Sequence, residues 1–339
     1  MPAAKGLLER LNDGEFVIDA EGYLYEFERR GYMQAGAYVP EVVLEHPHLV
    51  KSMYEEFVHA GSDVVEAFTY YAHREKLRTV GREHDLEPMN RKALQLARQV
   101  ADETGTLMAG NICNSCRFDP SDAKSFLETT EMFKESLKWA AEEGADFIIA
   151  ETYTDFGEAK LALECIRQFA PGLPAVVMLG QYKFTPTPST RDDVRLTDAC
   201  KRLEDLGADV VGLNCSTGPK AGTCSRTLSD RQSAGNRAFP TNMDRFLCTV
   251  EEIHEFARSC EQHNVRFVGL CCGNSARYTR TLAESLGRRP AASRYAPNMA
   301  LHYILGTDEA KLHRCNIGTL RSVGRLRLDA RAEFALWRG

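Results

Sequence analysis

The feature that most constrains this chain is a junction that occurs three times. A stripe at Val50, Met53, Tyr54, Phe57 and Val58 has the i, i+3, i+4, i+7, i+8 spacing of one buried helical face. It stops at Ala60-Gly61 and passes into Asp63-Val64-Val65-Glu66-Ala67-Phe68. A second stripe, Phe126, Thr130, Phe133, Leu137, Ala140 and Ala141, stops at Gly144 and runs into Ala145-Asp146-Phe147-Ile148-Ile149-Ala150-Glu151. A third places Leu196, Ala199, Cys200 and Leu203 on one face before Gly207-Ala208-Asp209-Val210-Val211-Gly212-Leu213-Asn214-Cys215. Glycine, then Ala or Ser, then Asp, then an apolar run thus marks a helix passing into a strand, with glycine suited to the left-handed turn that ends the helix.

Further strands are expected at residues 16–18, 107–110, 174–179 and 265–270. Short, continuously apolar strands alternating with helices predict an all-parallel sheet covered on both faces. Seven strands are visible, and the interval between Cys215 and Cys271 has room for an eighth, with residues 237–241 its only strand-like piece. The expected fold is a (β/α)8 TIM barrel, a single domain over residues 1–339 that is irregular between strands six and eight, with a doubly wound sheet as the alternative.

Composition excludes several functions. Lys and Arg total 42 against 48 Asp and Glu, a net charge of -6 without long like-charge runs, so nothing marks a nucleic-acid surface. No apolar run approaches the ~20 residues of a bilayer span, and Met1 to Asp19 offers no secretory apolar segment. A cytoplasmic protein with no membrane partner is expected. The eleven cysteines are odd in number, and a chain of this size needs no disulfides, so their thiols are either buried apolar groups or metal ligands.

In such a barrel the chemistry gathers where strands end, so the residue closing each run is informative. Those positions are Asp19, Thr69 to Tyr71, Asn111, Glu151, Gln181, Asn214-Cys215 and Cys271-Cys272. Most of these polar residues are expected simply because a strand end meets solvent. Cysteine is uncommon there unless its thiol has a task. Zinc takes about four tetrahedral ligands and favours thiolates. Adjacent Cys271 and Cys272 can reach one ion only where the strand has ended and the backbone turns, which Gly273 permits. Cys113-Asn114-Ser115-Cys116 has CxxC spacing but no partner pair, so no second metal is expected. The histidines lack HExxH spacing, and Gly269 to Gly273 makes no nucleotide cradle.

Gly212-Leu213-Asn214-Cys215 and Gly269-Leu270-Cys271-Cys272-Gly273 resemble the paired signatures of the zinc-dependent homocysteine S-methyltransferases. The resemblance runs over residues 14–285 and is closest to the betaine-using branch, in Glu28-Arg29-Arg30-Gly31-Tyr32, Ala35-Gly36-Ala37-Tyr38-Val39-Pro40-Glu41 and Ala67-Phe68-Thr69-Tyr70-Tyr71-Ala72. It implies Zn2+ held by Cys215, Cys271 and Cys272, and methyl transfer from a quaternary ammonium donor to the homocysteine thiolate. It also implies Glu151 on the homocysteine amino group, Tyr38 and Tyr71 around the donor, with Tyr70 and Tyr23 nearby, and Asn214 beside the acceptor. Tyr38 stands where the family shows Trp, and Thr152 where it shows Tyr.

Aligned through Val17-Ile18 and Gly22, Ala20 takes the place of a family Asp, leaving Asp19 or Glu21 to substitute by a one-residue slip that reverses the strand face. Beyond Leu286 the match fades into a C-terminal extension, residues 286–339, and a homo-oligomer is left open. Two other readings are carried: the same chemistry with a sulfonium donor or another thiol acceptor, and a non-catalytic zinc or thiol redox sensor.

Overall fold

The computed structural model describes residues 5–182, 187–215 and 247–303, with single positions 306, 310, 311 and 313 beyond them. Residues 1–293 form one compact unit and residues 294–339 a second, whose described part includes a short 3-10 turn at Met299–Leu301. The first unit is built on seven strands: β1 (Val17–Ala20), β2 (Val64–Glu66), β3 (Leu107–Cys113), β4 (Phe147–Tyr153), β5 (Ala175–Leu179), β6 (Val210–Leu213) and β7 (Phe267–Leu270). All pair in parallel in the order β6-β5-β4-β3-β2-β1-β7. This is a nearly closed TIM barrel. The strand-like piece at 237–241 lies outside the described residues.

The helices are α1 (Leu7–Asn12), α2 (Tyr23–Arg29), α3 (Val42–Glu45), α4 (Pro47–Ala60), α5 (Arg74–Thr79), α6 (Leu86–Thr104), α7 (Ala123–Glu142), α8 (Phe156–Phe169), α9 (Leu196–Asp205), α10 (Val250–Gln262) and α11 (Ala276–Ser285). Gly61 caps α4 at φ +118°, as the junction pattern predicts. The α7 stripe is buried as expected at Phe133, Leu137 and Ala140, but its first turn is displaced by one residue. Ser125 and Thr129 are buried, while Phe126 is 36% exposed and rests edge-on against Phe118. The displacement follows from Ser125, whose hydroxyl donates to the Asp119 and Asp122 carbonyls and ties the start of the helix inward.

The three junction aspartates share one task. Asp63 accepts from the Ile18 N–H at 2.8 Å, Asp146 from the Met108 N–H at 2.7 Å, and Asp209 from the Ala175 N–H at 2.7 Å. Each therefore satisfies an N–H near the start of the preceding strand, in β1, β3 and β5. Each is in turn held by arginine: Asp63 by Arg10 and Arg288, Asp146 by Arg98, Asp209 by Arg167. A buried N–H without a partner costs about 1–3 kcal/mol, which explains why Asp recurs in the motif.

Period-two alternation divides each strand between two environments. Val17, Val64, Leu107, Ala109, Phe147, Ile149 and Val176 pack together inside the barrel. Ala20, Val65, Met108, Ile148, Ala150 and Val177 join the layer beneath the helices. The inward set continues toward the strand ends as Asp19, Glu66, Asn111 and Glu151, all buried.

Candidate active site

Cys215 follows β6 by two residues, and Cys271 and Cys272 follow β7 directly. Their sulfurs lie within 4.8 Å of one another, with Cys215 Sγ 4.0 Å and Cys271 Sγ 3.8 Å from Cys272 Sγ. The chain thus brings together three thiols from two strand ends 56 residues apart. The turn they need is visible in the backbone: Cys215 has φ +55° and Gly273 +88°. Gly22, opening α2, passes so close that a Cβ there would sit 2.6 Å from the Cys271 carbonyl oxygen. Hydrogen bonding to Cys215 pushes the Cys271 and Cys272 thiols well above the ordinary cysteine range, with burial adding to it. The donor chemistry of the trio fits a thiophilic ion such as zinc, which takes thiolates.

Beside the thiols stands a group of acids. Carboxylate oxygens of Glu21, Glu66 and Glu151 lie within 4.8 Å of one another. Asn111 Nδ2 bridges two of them, donating to Glu66 at 2.5 Å and Glu151 at 2.7 Å. Asn214 Nδ2 donates to the second Glu151 oxygen at 2.6 Å and to the Thr152 hydroxyl at 2.8 Å, while its Oδ1 accepts from the Thr152 N–H. Asn214 is therefore a positioning residue for Glu151. Burial pushes Glu151 up to about 7, and pushes Glu21 and Glu66 well above the carboxylate range, with the neighbouring Glu151 charge adding to both. Buried acids with so little compensation favour a positively charged ligand group.

The strand register decides between the two substitutes for the family Asp. Ala20 faces the helices, packed in the layer with Tyr23 and Phe27. Asp19 faces inward, 6% exposed, and its Oδ1 has no hydrogen-bond partner among the described residues. Burial pushes its carboxyl up to about 7, opposed by hydrogen bonding to Glu66. Glu21, one residue past β1, also turns in. Both line a cleft of about 420 Å³ between β6 and β7, and Glu21 additionally lines a second cavity with all three thiols.

That second cavity, about 370 Å³, is walled by aromatic rings including Tyr23, Phe68, Tyr38, Tyr70 and Tyr71, together with Lys76, Glu151 and Thr152. Tyr23 belongs as much to the core, stacked on Phe57 and donating to the Ala20 carbonyl. Tyr70 and Tyr71 tilt together at 4.4 Å between centroids. Tyr153 is fully buried among the helices and does not reach the cavity, so Thr152 is the neighbour that Glu151 presents. Four non-glycine residues of this wall hold left-handed backbone: Tyr38 (φ +56°), Tyr71 (+62°), Thr152 (+62°) and Cys215 (+55°). Such conformations cost of order 1–3 kcal/mol each and gather where side chains must be aimed.

Sequence reasoning missed Glu66 and Lys76. Glu66 had a signal: a carboxylate placed two residues after Val64 shares its inward face and cannot meet solvent inside a closed sheet.

Fold and site together define a TIM barrel carrying a candidate thiolate metal centre and an aromatic and acidic cavity at the C-terminal ends of its strands. Residues 22–286 match the model of the family described as homocysteine S-methyltransferase, and the chain belongs to that family of methyltransferases. It is 30% identical over 316 residues to betaine–homocysteine S-methyltransferase 1 of Bos taurus, covering 83% of this chain and 75% of that protein. It is 29% identical to the S-methylmethionine–homocysteine S-methyltransferase BHMT2 of Mus musculus, over 84% and 82% of the two chains. The metallated form of the homocysteine methyltransferase MmuM from Escherichia coli shares the fold, with a TM-score of 0.60 at 16% identity over 80% of this chain and 96% of that one. Among the described residues no helix is long and apolar enough to cross a membrane.

Proposed function

We propose that the protein transfers a methyl group from a betaine-type quaternary ammonium donor to the thiolate of homocysteine, giving methionine, with zinc held by Cys215, Cys271 and Cys272. The observation that carries this reading is the trio of sulfurs within 4.8 Å opening on the same cavity as the aromatic rings. Cys215, Cys271 and Cys272 would hold the ion, which when bound would supply Lewis acidity that favours the thiolate form of an acceptor thiol.

The remaining tasks fall to the chain itself. Glu151, aimed by Asn111 and Asn214, accepts hydrogen bonds from the acceptor's ammonium, and Asp19 adds a second inward carboxylate to the same region. The faces of Tyr38 and Tyr71 attract a methylated cation that cannot donate an ordinary hydrogen bond. The aromatic wall excludes water and aligns the methyl for in-line displacement. No side chain has to act as nucleophile.

A sulfonium donor is the second reading, favoured by the likeness to a relative named for S-methylmethionine. The test is zinc-loaded protein incubated with homocysteine and each of betaine, dimethylsulfonioacetate, dimethylsulfoniopropionate and S-methylmethionine, with methionine quantified. Methionine from betaine is expected to exceed that from the sulfonium donors. Stoichiometric zinc with no methionine from any donor would refute methyl transfer to homocysteine and leave another thiol acceptor or a thiol redox sensor.

A further inference from the structure

One charged group in the cavity wall has no task in the scheme above. Lys76, half-buried on α5, places its Nζ 4.0 Å from the centroid of the Tyr71 ring. Its hydrogen bond to the Ala37 carbonyl is long, at 3.4 Å, and an ammonium has three N–H groups to place. The acids beside it are committed elsewhere: Glu75 pairs with Arg78 and Glu135 with Arg74. Among the described residues Lys76 forms no ion pair, yet it lines the cavity that also holds Tyr38, Tyr71 and the three thiols.

A cation resting on Tyr71 changes what that ring can accept. The Tyr71 ring already has a positive charge over one face, and a second cation brought to this ring meets like-charge repulsion. A ligand with only a positive charge is therefore disfavoured. A ligand whose carboxylate lies near its onium centre converts the repulsion into an ion pair, with Lys76 on the carboxylate and the aromatic faces on the methyl groups. The same wall also contains the Tyr38 hydroxyl, a buried donor with no hydrogen-bond partner among the described residues. Attraction for one charge pattern and repulsion of its competitor are the two components of specificity.

We propose that Lys76 is the specificity-determining residue of the donor cavity, admitting zwitterionic donors that carry a carboxylate and turning away onium cations that lack one. This deepens the proposed function and rests on it only for the identity of the cavity. It predicts that betaine and dimethylsulfonioacetate are bound, while choline and trimethylsulfonium, with the same onium centres and no carboxylate, are not.

The experiment uses the full-length zinc-loaded protein and two readouts. Calorimetric titration with betaine and with choline measures binding without turnover, and methionine formation measures kcat/KM for each donor. Wild type is expected to bind betaine at least about tenfold more tightly than choline, the scale of one charge-assisted hydrogen bond. K76M is expected to lose that preference through weaker betaine binding, and K76E to reverse it. K76R, which keeps the charge, is expected to retain it. The two substitutions of opposite design guard against a single misfolded variant, and each is checked by its circular dichroism spectrum. An unchanged betaine-to-choline ratio in K76M or K76E overturns the proposal, as does wild type binding both ligands equally. Methionine formation with an unchanged ratio sinks the role of Lys76 and leaves the methyltransferase standing. Lys76-dependent betaine binding without methionine does the reverse.

Discussion

Asp19 offers the sharpest test of how the interior of this barrel is charged. It is 6% exposed, its Oδ1 has no partner among the described residues, and burial lifts its carboxyl from 3.8 to about 7. An acid whose pKa is higher in the folded than in the unfolded chain holds its proton more tightly when folded. Its contribution to stability is therefore complete below pH 3.8 and declines as pH rises, until the loss is complete above about pH 7. At 1.36 kcal/mol per unit, a rise of about three units corresponds to roughly 4 kcal/mol. Asp19→Asn has the same shape and cannot ionise, so it should match wild type near pH 4 and exceed its unfolding free energy by up to about 4 kcal/mol at pH 8.

The assay is urea unfolding of both proteins from pH 4 to 8.5 under reducing conditions, plotted as the difference between variant and wild type. Glu21, Glu66 and Glu151 remain in both chains, and because the Asp19 charge raises all three, the difference curve reports Asp19 together with the easier ionisation of these neighbours once that charge is gone. A flat difference, or a variant that loses stability as pH rises, would refute the reasoning. Either result would mean that the Asp19 charge is compensated inside the folded protein, by hydrogen bonding such as that from Glu66 or by a cation.

Cys215→Ala and Cys271→Ala each leave two thiolates, so zinc affinity should fall by on the order of a hundredfold or more, read as metal content after dialysis, with methionine formation lost in parallel. Full activity in metal-free Cys271→Ala would remove zinc from the account. Gly110→Ala tests the helix-facing side of the barrel wall: its Cβ would lie 2.7 Å from that of Ala140 and 3.0 Å from Ile148 Cδ1. Overpacking β3 against α7 should cost about 1–3 kcal/mol, measured as a lowered urea midpoint with unchanged zinc content.

Much of the barrel was legible because the chain writes the same sentence three times. The apolar runs after Gly61, Gly144 and Gly207 became β2, β4 and β6, and the thiols fell at strand ends because Gly212-Leu213 and Gly269-Leu270 are the last two residues of β6 and β7. The acids were less legible, for a definite reason. Family likeness pointed to the Ala20 position while period-two alternation in β1 sends Asp19 inward with Val17, and only the sheet register arbitrates. Glu66 was hidden within a run read as continuously apolar. The approach of Lys76 to Tyr71 depends on a tight turn from β2 into α5, with Tyr71 at φ +62°, which composition and spacing do not encode.

The two ends of the barrel divide the work in a way that accounts for the strain at one of them. At the N-terminal end, Asp63, Asp146 and Asp209 satisfy strand N–H groups and are held by arginines, so that part of the buried polar inventory is paired. At the C-terminal end the inventory is open: Asp19 Oδ1 and the Tyr38 hydroxyl lack partners among the described residues, and four wall residues sit in left-handed backbone. Each such defect costs stability unless a ligand completes it. The apolar layer from Val17 to Val176 and the locked base hold the strand ends in place. They fix the open groups in the arrangement a charged ligand would find, so that little reorganisation is left for the moment of binding.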